Sequence, residues 1–108
     1  MPNDTEVHLV YVTTETRNEA LSLARTLVNE RLAACANLLG EITSVFQWDG
    51  GVKEAAEQGL LLKTSGSRLA ALTARIKALH SYDCPCVVAL PVAGGNVDFL
   101  NWVNAETA

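Results

Sequence analysis

From Val7 to Thr14 the chain reads VHLVYVTT, β-branched and aromatic residues with apolar side chains on both faces, the pattern of a strand in the middle of a sheet. Thr16 and Glu19 have the spacing of a capping box. Behind them Ala20, Leu23, Ala24, Leu27 and Val28 recur at helical intervals, predicting a helix over 16–31 whose end no glycine marks. The stretch from Ala34 to Trp48 alternates loosely, with Ile42, Ser44, Phe46 and Trp48 on one face, and runs into the turn signal Asp49-Gly50-Gly51. A return strand over 52–64 starts polar and becomes continuously apolar, and Gly40 and Gly59 are candidate bulges or close approaches. Ser67 is the expected cap of a second helix carrying Leu69, Leu72, Ile76 and Leu79, with Lys77 and His80 in its last turn. Pro85 stops helical continuation and biases Cys84 towards extended backbone, so a strand is expected over 86–90. Asn96 is placed to cap a short terminal helix that packs through Phe99, Leu100, Trp102 and Val103.

Strand, helix, strand, strand, helix, strand is the order of an α+β ferredoxin-like βαββαβ plait: a four-stranded antiparallel sheet with both helices on one face. Here the central hairpin is long and a short C-terminal helix follows. Residues 1–108 are expected to form one such domain. The two middle strands each run past ten residues, against a usual ~5 to 6, and their tip bears Phe46 and Trp48. Long exposed edges invite intermolecular pairing, so an oligomer is expected.

Composition narrows the function classes. With 49% hydrophobic residues in 108, the chain has material for an ordinary core. A net charge of −4 with no basic cluster argues against a nucleic-acid partner. Apolar runs fall far short of the ~20 residues that span a bilayer, and no basic start precedes one, so no membrane association is expected. Three cysteines, an odd number, fit reduced thiols and a cytoplasmic location better than a disulfide framework. A serine with a His/Asp relay, a glycine-rich phosphate loop and a paired-carboxylate motif are all missing, so no enzyme and no organic cofactor are expected.

Glu30-Arg31-Leu32-Ala33-Ala34-Cys35-Ala36-Asn37, Trp48 and Gly50 at the hairpin tip, Glu57, Lys63-Thr64, then His80, Tyr82 and Pro85, and finally Asp98, Leu100 and Trp102 together resemble the CutA family, proteins associated with divalent cation tolerance. The likeness runs from about Leu9 to Val103. It implies a ferredoxin-like homotrimer with hairpins paired across subunits, similar in architecture to PII signalling proteins, binding copper and other divalent cations without a well established catalytic activity. Against the family segment His-Pro-Tyr-Glu-x-Pro-Glu, Asp83 stands for a glutamate, Cys84 for an apolar residue and Cys86 for the second glutamate.

That departure bears on the chemistry. Cys84 and Cys86, at i and i+2 around Pro85, point to one side if the segment is extended, and thiolates favour Cu(I) or Zn where carboxylates favour harder ions. His80 can add an imidazole and Cys35 a third sulfur, giving Cys35, Cys84, Cys86 and His80 as metal-ligand candidates. Each has a plainer reading: Cys35 as a small core residue, His80 as a charge favouring the helix dipole. His8 reads as a surface or edge residue, and Glu30 and Arg31 as helix-end surface or interface charges. A second constellation reads either as a structural network holding the subunit interface or as a ligand pocket between subunits. Lys63 needs Glu57, Asp83 or a bound anion to offset its charge, and Tyr82 and Trp48 offer flat walls. The leading expectation is a copper- or divalent-ion-binding protein of metal tolerance. The alternative is a PII-like module holding a small anionic metabolite.

Overall fold

The computed structural model describes residues 4–108. Among them the elements run β1 (Val7–Thr14), α1 (Arg17–Asn29), β2 (Cys35–Trp48), β3 (Gly51–Ser65), a 3-10 turn (Gly66–Arg68), α2 (Leu69–Leu79), β4 (Val87–Pro91) and α3 (Val97–Glu106). The strands form one antiparallel sheet in the order β2-β3-β1-β4, the ferredoxin-like arrangement. Val10 and Val12 of β1 and Leu60 and Leu62 of β3 are fully buried against Leu23 and Leu27 of α1 and Leu72 and Ile76 of α2. Both helices therefore cover one face. On the other face α3 covers only one end, where Val103 meets Val7 and Ala34. None of the helices among the described residues is long and apolar enough to cross a membrane.

Thr16 caps α1 as expected, its hydroxyl accepting from the Glu19 N–H at 3.1 Å. The helix stops two residues before the predicted end. Leu32 N–H bonds to Leu27 O and Arg31 N–H to Val28 O, a Schellman pairing with Arg31 at φ 59° in the left-handed position that glycine ordinarily takes. This is why the sequence showed no stop signal. Glu30 and Arg31 then serve as surface charges between elements: Glu30 accepts two bonds from Arg75 of α2, at 2.9 and 2.8 Å, and Arg31 reaches Glu106 of α3 at 3.3 Å.

Trp48 pairs with Gly51 across a two-residue turn in which Asp49 and Gly50 both have positive φ. Gly40, at φ 96°, sits where the β2–β3 register slips between Leu38 and Gly40, so Leu39 is the extra residue of a bulge. Opposite it, a Cβ on Gly59 would lie 3.3 Å from the Leu39 Cβ, so both glycines are dictated by the bulge. The slip also exchanges the faces of β2: Ala36 and Leu38 share the helix-covered face, whereas beyond Gly40 the even positions, Ile42 to Trp48, share the face of Glu57.

Three local expectations are corrected. Ser67 does not cap α2; it lies inside the preceding 3-10 turn with its hydroxyl 3.0 Å from that of Ser65. Leu79 is left exposed rather than on the packing face. His8, expected at the surface, is buried because β1 lies between β3 and β4, and its Nδ1 is 3.1 Å from Glu6 O. In α3 Asn96 does cap, accepting from Asp98 N–H, and Val103 packs, but Phe99 and Trp102 remain exposed with ring centroids 5.6 Å apart.

Candidate functional site

The segment between α2 and β4 crosses the end of β1 and is pinned by an imidazole. His80 closes α2, and its side chain is fully buried. Nδ1 receives the Tyr82 backbone N–H at 3.0 Å, so it must be the acceptor. The proton then belongs on Nε2, which lies 2.7 Å from Thr13 O and donates to it. Both nitrogens are occupied by backbone, which leaves neither for a metal ion in this arrangement. Glu19 holds the next residue: its carboxylate accepts from the Ser81 N–H at 2.8 Å and the Ser81 hydroxyl at 3.0 Å. The second member of the capping box is thus a clamp between α1 and the loop.

Tyr82, fixed by these anchors, packs its ring tilted at 47° against His80 with centroids 4.7 Å apart and donates its hydroxyl to Glu57 Oε2 at 2.8 Å. Burial, then the bond to Glu57, then the charges of Glu57, Glu15 and Glu19, push the phenol well above its ordinary range. Glu57 itself is only 9% exposed. Cys86, half-buried, completes the group. Burial and the Glu57 carboxylate push its thiol up, and a hydrogen bond with Thr13 partly offsets them. Two residues away Cys84 is exposed, as is Asp83.

The remaining predicted residues lie elsewhere in the subunit. Lys63 and Gly51, the partner of Trp48, each stand six residues from Glu57 along β3, a separation of about 20 Å in opposite directions. Lys63 donates to Asn37 Oδ1 at 2.6 Å, with Nζ 5.8 Å from the Phe99 ring centroid. Trp48 is exposed at the hairpin tip. One subunit therefore joins Tyr82 and Glu57 of the expected pocket but does not bring Lys63 or Trp48 to them. Cys35 is the cross-strand neighbour of Lys63, which pairs with Leu9, four residues and about 13 Å of strand from Thr13. It lines an open groove with Leu21, Val28 and Ala36 instead of joining the other thiols. Among the described residues no group of three or more His, Cys, Asp and Glu side chains is placed to hold a metal ion.

Sequence reasoning missed Thr13, Ser81 and the bridging role of Glu19. Only Glu19 carried a signal, and the capping box absorbed it.

Residues 8–106 match the family described as CutA1 divalent ion tolerance protein. The chain is 44% identical over 99 residues to Protein CutA 1, chloroplastic, of Oryza sativa subsp. japonica, covering 92% of this chain and 56% of that one. It is 42% identical over 99 residues to the divalent-cation tolerance protein CutA of Thermus thermophilus, covering 92% and 96%. The chain thus spans a little over half the length of the plant relative and nearly all of the bacterial one. The solved structure of the divalent cation tolerance protein from Thermus thermophilus superposes with a TM-score of 0.92 at 41% identity, covering 94% of this chain and 99% of that chain.

Proposed function

The chain belongs to the CutA1 divalent ion tolerance family, and from that premise we propose that it binds copper or another borderline-soft divalent ion as part of metal tolerance, through the thiols of Cys84 and Cys86. The observation that carries this reading is the spacing of two free thiols two residues apart on the loop before β4, Cys84 exposed and Cys86 half-buried. Those donors suit a soft ion. Two thiolates two residues apart offer the ligands that Cu(I) and Zn(II) favour. In this reading His80 orients the loop rather than ligating, and Cys35 contributes only if a neighbouring subunit brings it near. Reduced thiols suit a cytoplasmic setting, and the role is binding rather than catalysis.

A homotrimer is part of the proposal. Leu9, Tyr11 and Leu61 share the sheet face not covered by α1 and α2 with Val88 and Leu90, which are 49% and 53% exposed, and the fourteen-residue β2 is an edge. Apolar surface and unpaired backbone of this kind favour association. An anion-binding PII-like pocket would need residues from another subunit beside Tyr82, since Lys63 is directed to Asn37 and Phe99.

Titration of fully reduced protein with Cu(I) and Zn(II) against a competing chelator tests the reading. Stoichiometric binding that weakens by more than about tenfold in both Cys84→Ser and Cys86→Ser, a loss of about 1.4 kcal/mol or more, is expected. Binding indifferent to both substitutions would contradict it.

A further inference from the structure

We infer that His80 and Glu19 form a pH-sensitive latch on the segment between α2 and β4, in which protonation of the buried imidazole exchanges its Tyr82 partner for the Glu19 carboxylate and loosens the segment. The neutral ring gives both nitrogens to backbone: Nδ1 accepts the Tyr82 N–H at 3.0 Å, and Nε2 donates to Thr13 O at 2.7 Å. A second proton has one place to go. Nε2 already carries one, so the new N–H forms at Nδ1, on the lone pair that holds the Tyr82 amide. Two donors then face each other, and that bond is lost. Glu19 Oε2 lies 3.7 Å from the same Nδ1, so a closure of about 1 Å makes a charge-assisted N–H···O bond. The carboxylate thereby offsets a charge created on a ring with no exposed surface.

The exchange acts on the loop from two sides. Tyr82 loses the bond that ties its backbone to His80, while its hydroxyl still reaches Glu57. Glu19 Oε2 is also the acceptor of the Ser81 N–H at 2.8 Å, so the charged ring and Ser81 compete for one oxygen. Among the described residues Glu19 is the one carboxylate at ion-pair distance from this ring. On the other elements, Glu57 of β3 and Glu15 after β1 act on the Tyr82 phenol, Cys86 before β4 meets Thr13, and Lys77 of α2 and Asp83 of the loop are exposed. The loop is thus pinned while the ring is neutral and loosened as it charges, a two-state element biased by one proton. The inference concerns the loop itself and does not depend on the metal reading.

Metal-free, reduced, isotope-labelled protein is followed by NMR from about pH 8 to 5, which brackets the ordinary imidazole titration. At the upper end the His80 ring is expected as the Nε2–H tautomer with a protected Tyr82 amide. On acidification both ring nitrogens gain protons, and the Tyr82 amide shift moves with the same midpoint while its protection factor falls about tenfold or more. The amides of Val10 and Leu62 in the sheet are expected to stay protected. Glu19→Gln keeps an acceptor for the Ser81 N–H but removes the charge, and its two coupled transitions are expected at lower pH than in wild type. A ring that stays neutral until the sheet amides themselves are lost, a ring that charges without moving the Tyr82 amide, or a Glu19→Gln midpoint equal to that of wild type would overturn the inference. Because no metal is present, any of those results leaves the metal titration to be decided separately.

Discussion

At the scale of single residues the loop after α2 is governed by hydrogen-bond assignments that its composition does not announce. The Tyr82 N–H and Thr13 O fix the tautomer of His80, and removing the ring strands both groups. Tyr82 in turn donates its hydroxyl proton to a hydrogen bond with Glu57. Replacing it by Phe leaves a buried carboxylate short of a donor and is expected to cost about 1–2 kcal/mol at neutral pH. The pH dependence has a definite sign. The folded state holds the phenol proton more tightly than the unfolded chain does, so the stabilisation is complete below the unfolded value of about 10 and is lost as pH rises towards the folded value. Urea denaturation of both proteins from about pH 8 to 11 should therefore show wild type losing stability above about pH 10 more steeply than Tyr82→Phe. Parallel profiles would contradict the assignment. His80 and Tyr82 were legible together because they lie two residues apart in sequence. Thr13, Ser81 and the second use of Glu19 were not, because their roles depend on which strand end and helix turn the loop crosses.

Among the elements, the two central strands show where alternation stops being a guide. Gly40 and Gly59 were visible as irregularities, but the exchange of faces they produce was not, because one inserted residue changes the parity of every position beyond it. Gly40→Ala should test the bulge directly. Its φ of 96° disfavours any Cβ, and a loss of about 1–3 kcal/mol in thermal or denaturant unfolding is expected. An unchanged midpoint would show that the bulge relocates at little cost. The end of α1 was obscured for a related reason: a Schellman turn normally advertises itself with glycine, and here Arg31 takes the left-handed position. The sequence of elements, the hairpin turn and the cap of α3 were readable because each rests on a local signal that tertiary contacts did not override.

For the whole molecule, the order of elements was sufficient to identify the plait, while one subunit does not by itself bring the expected pocket residues together, because residues on one long strand can share a face and still lie far apart. Glu57 and Lys63 do so on β3. Association of subunits is the remaining way to bring such residues together. Leu90→Glu puts a charge on the sheet face not covered by α1 and α2. Sedimentation analysis is expected to show trimeric wild type and a dissociated, still folded variant; a trimer unaffected by the substitution would place the interface elsewhere. X-ray absorption at the copper edge of Cu(I)-loaded, reduced protein counts the sulfur neighbours of the metal directly. Two sulfur neighbours, falling to one in Cys84→Ser and in Cys86→Ser, are predicted. A shell of nitrogen and oxygen alone, or sulfur that persists unchanged in both variants, would contradict the account.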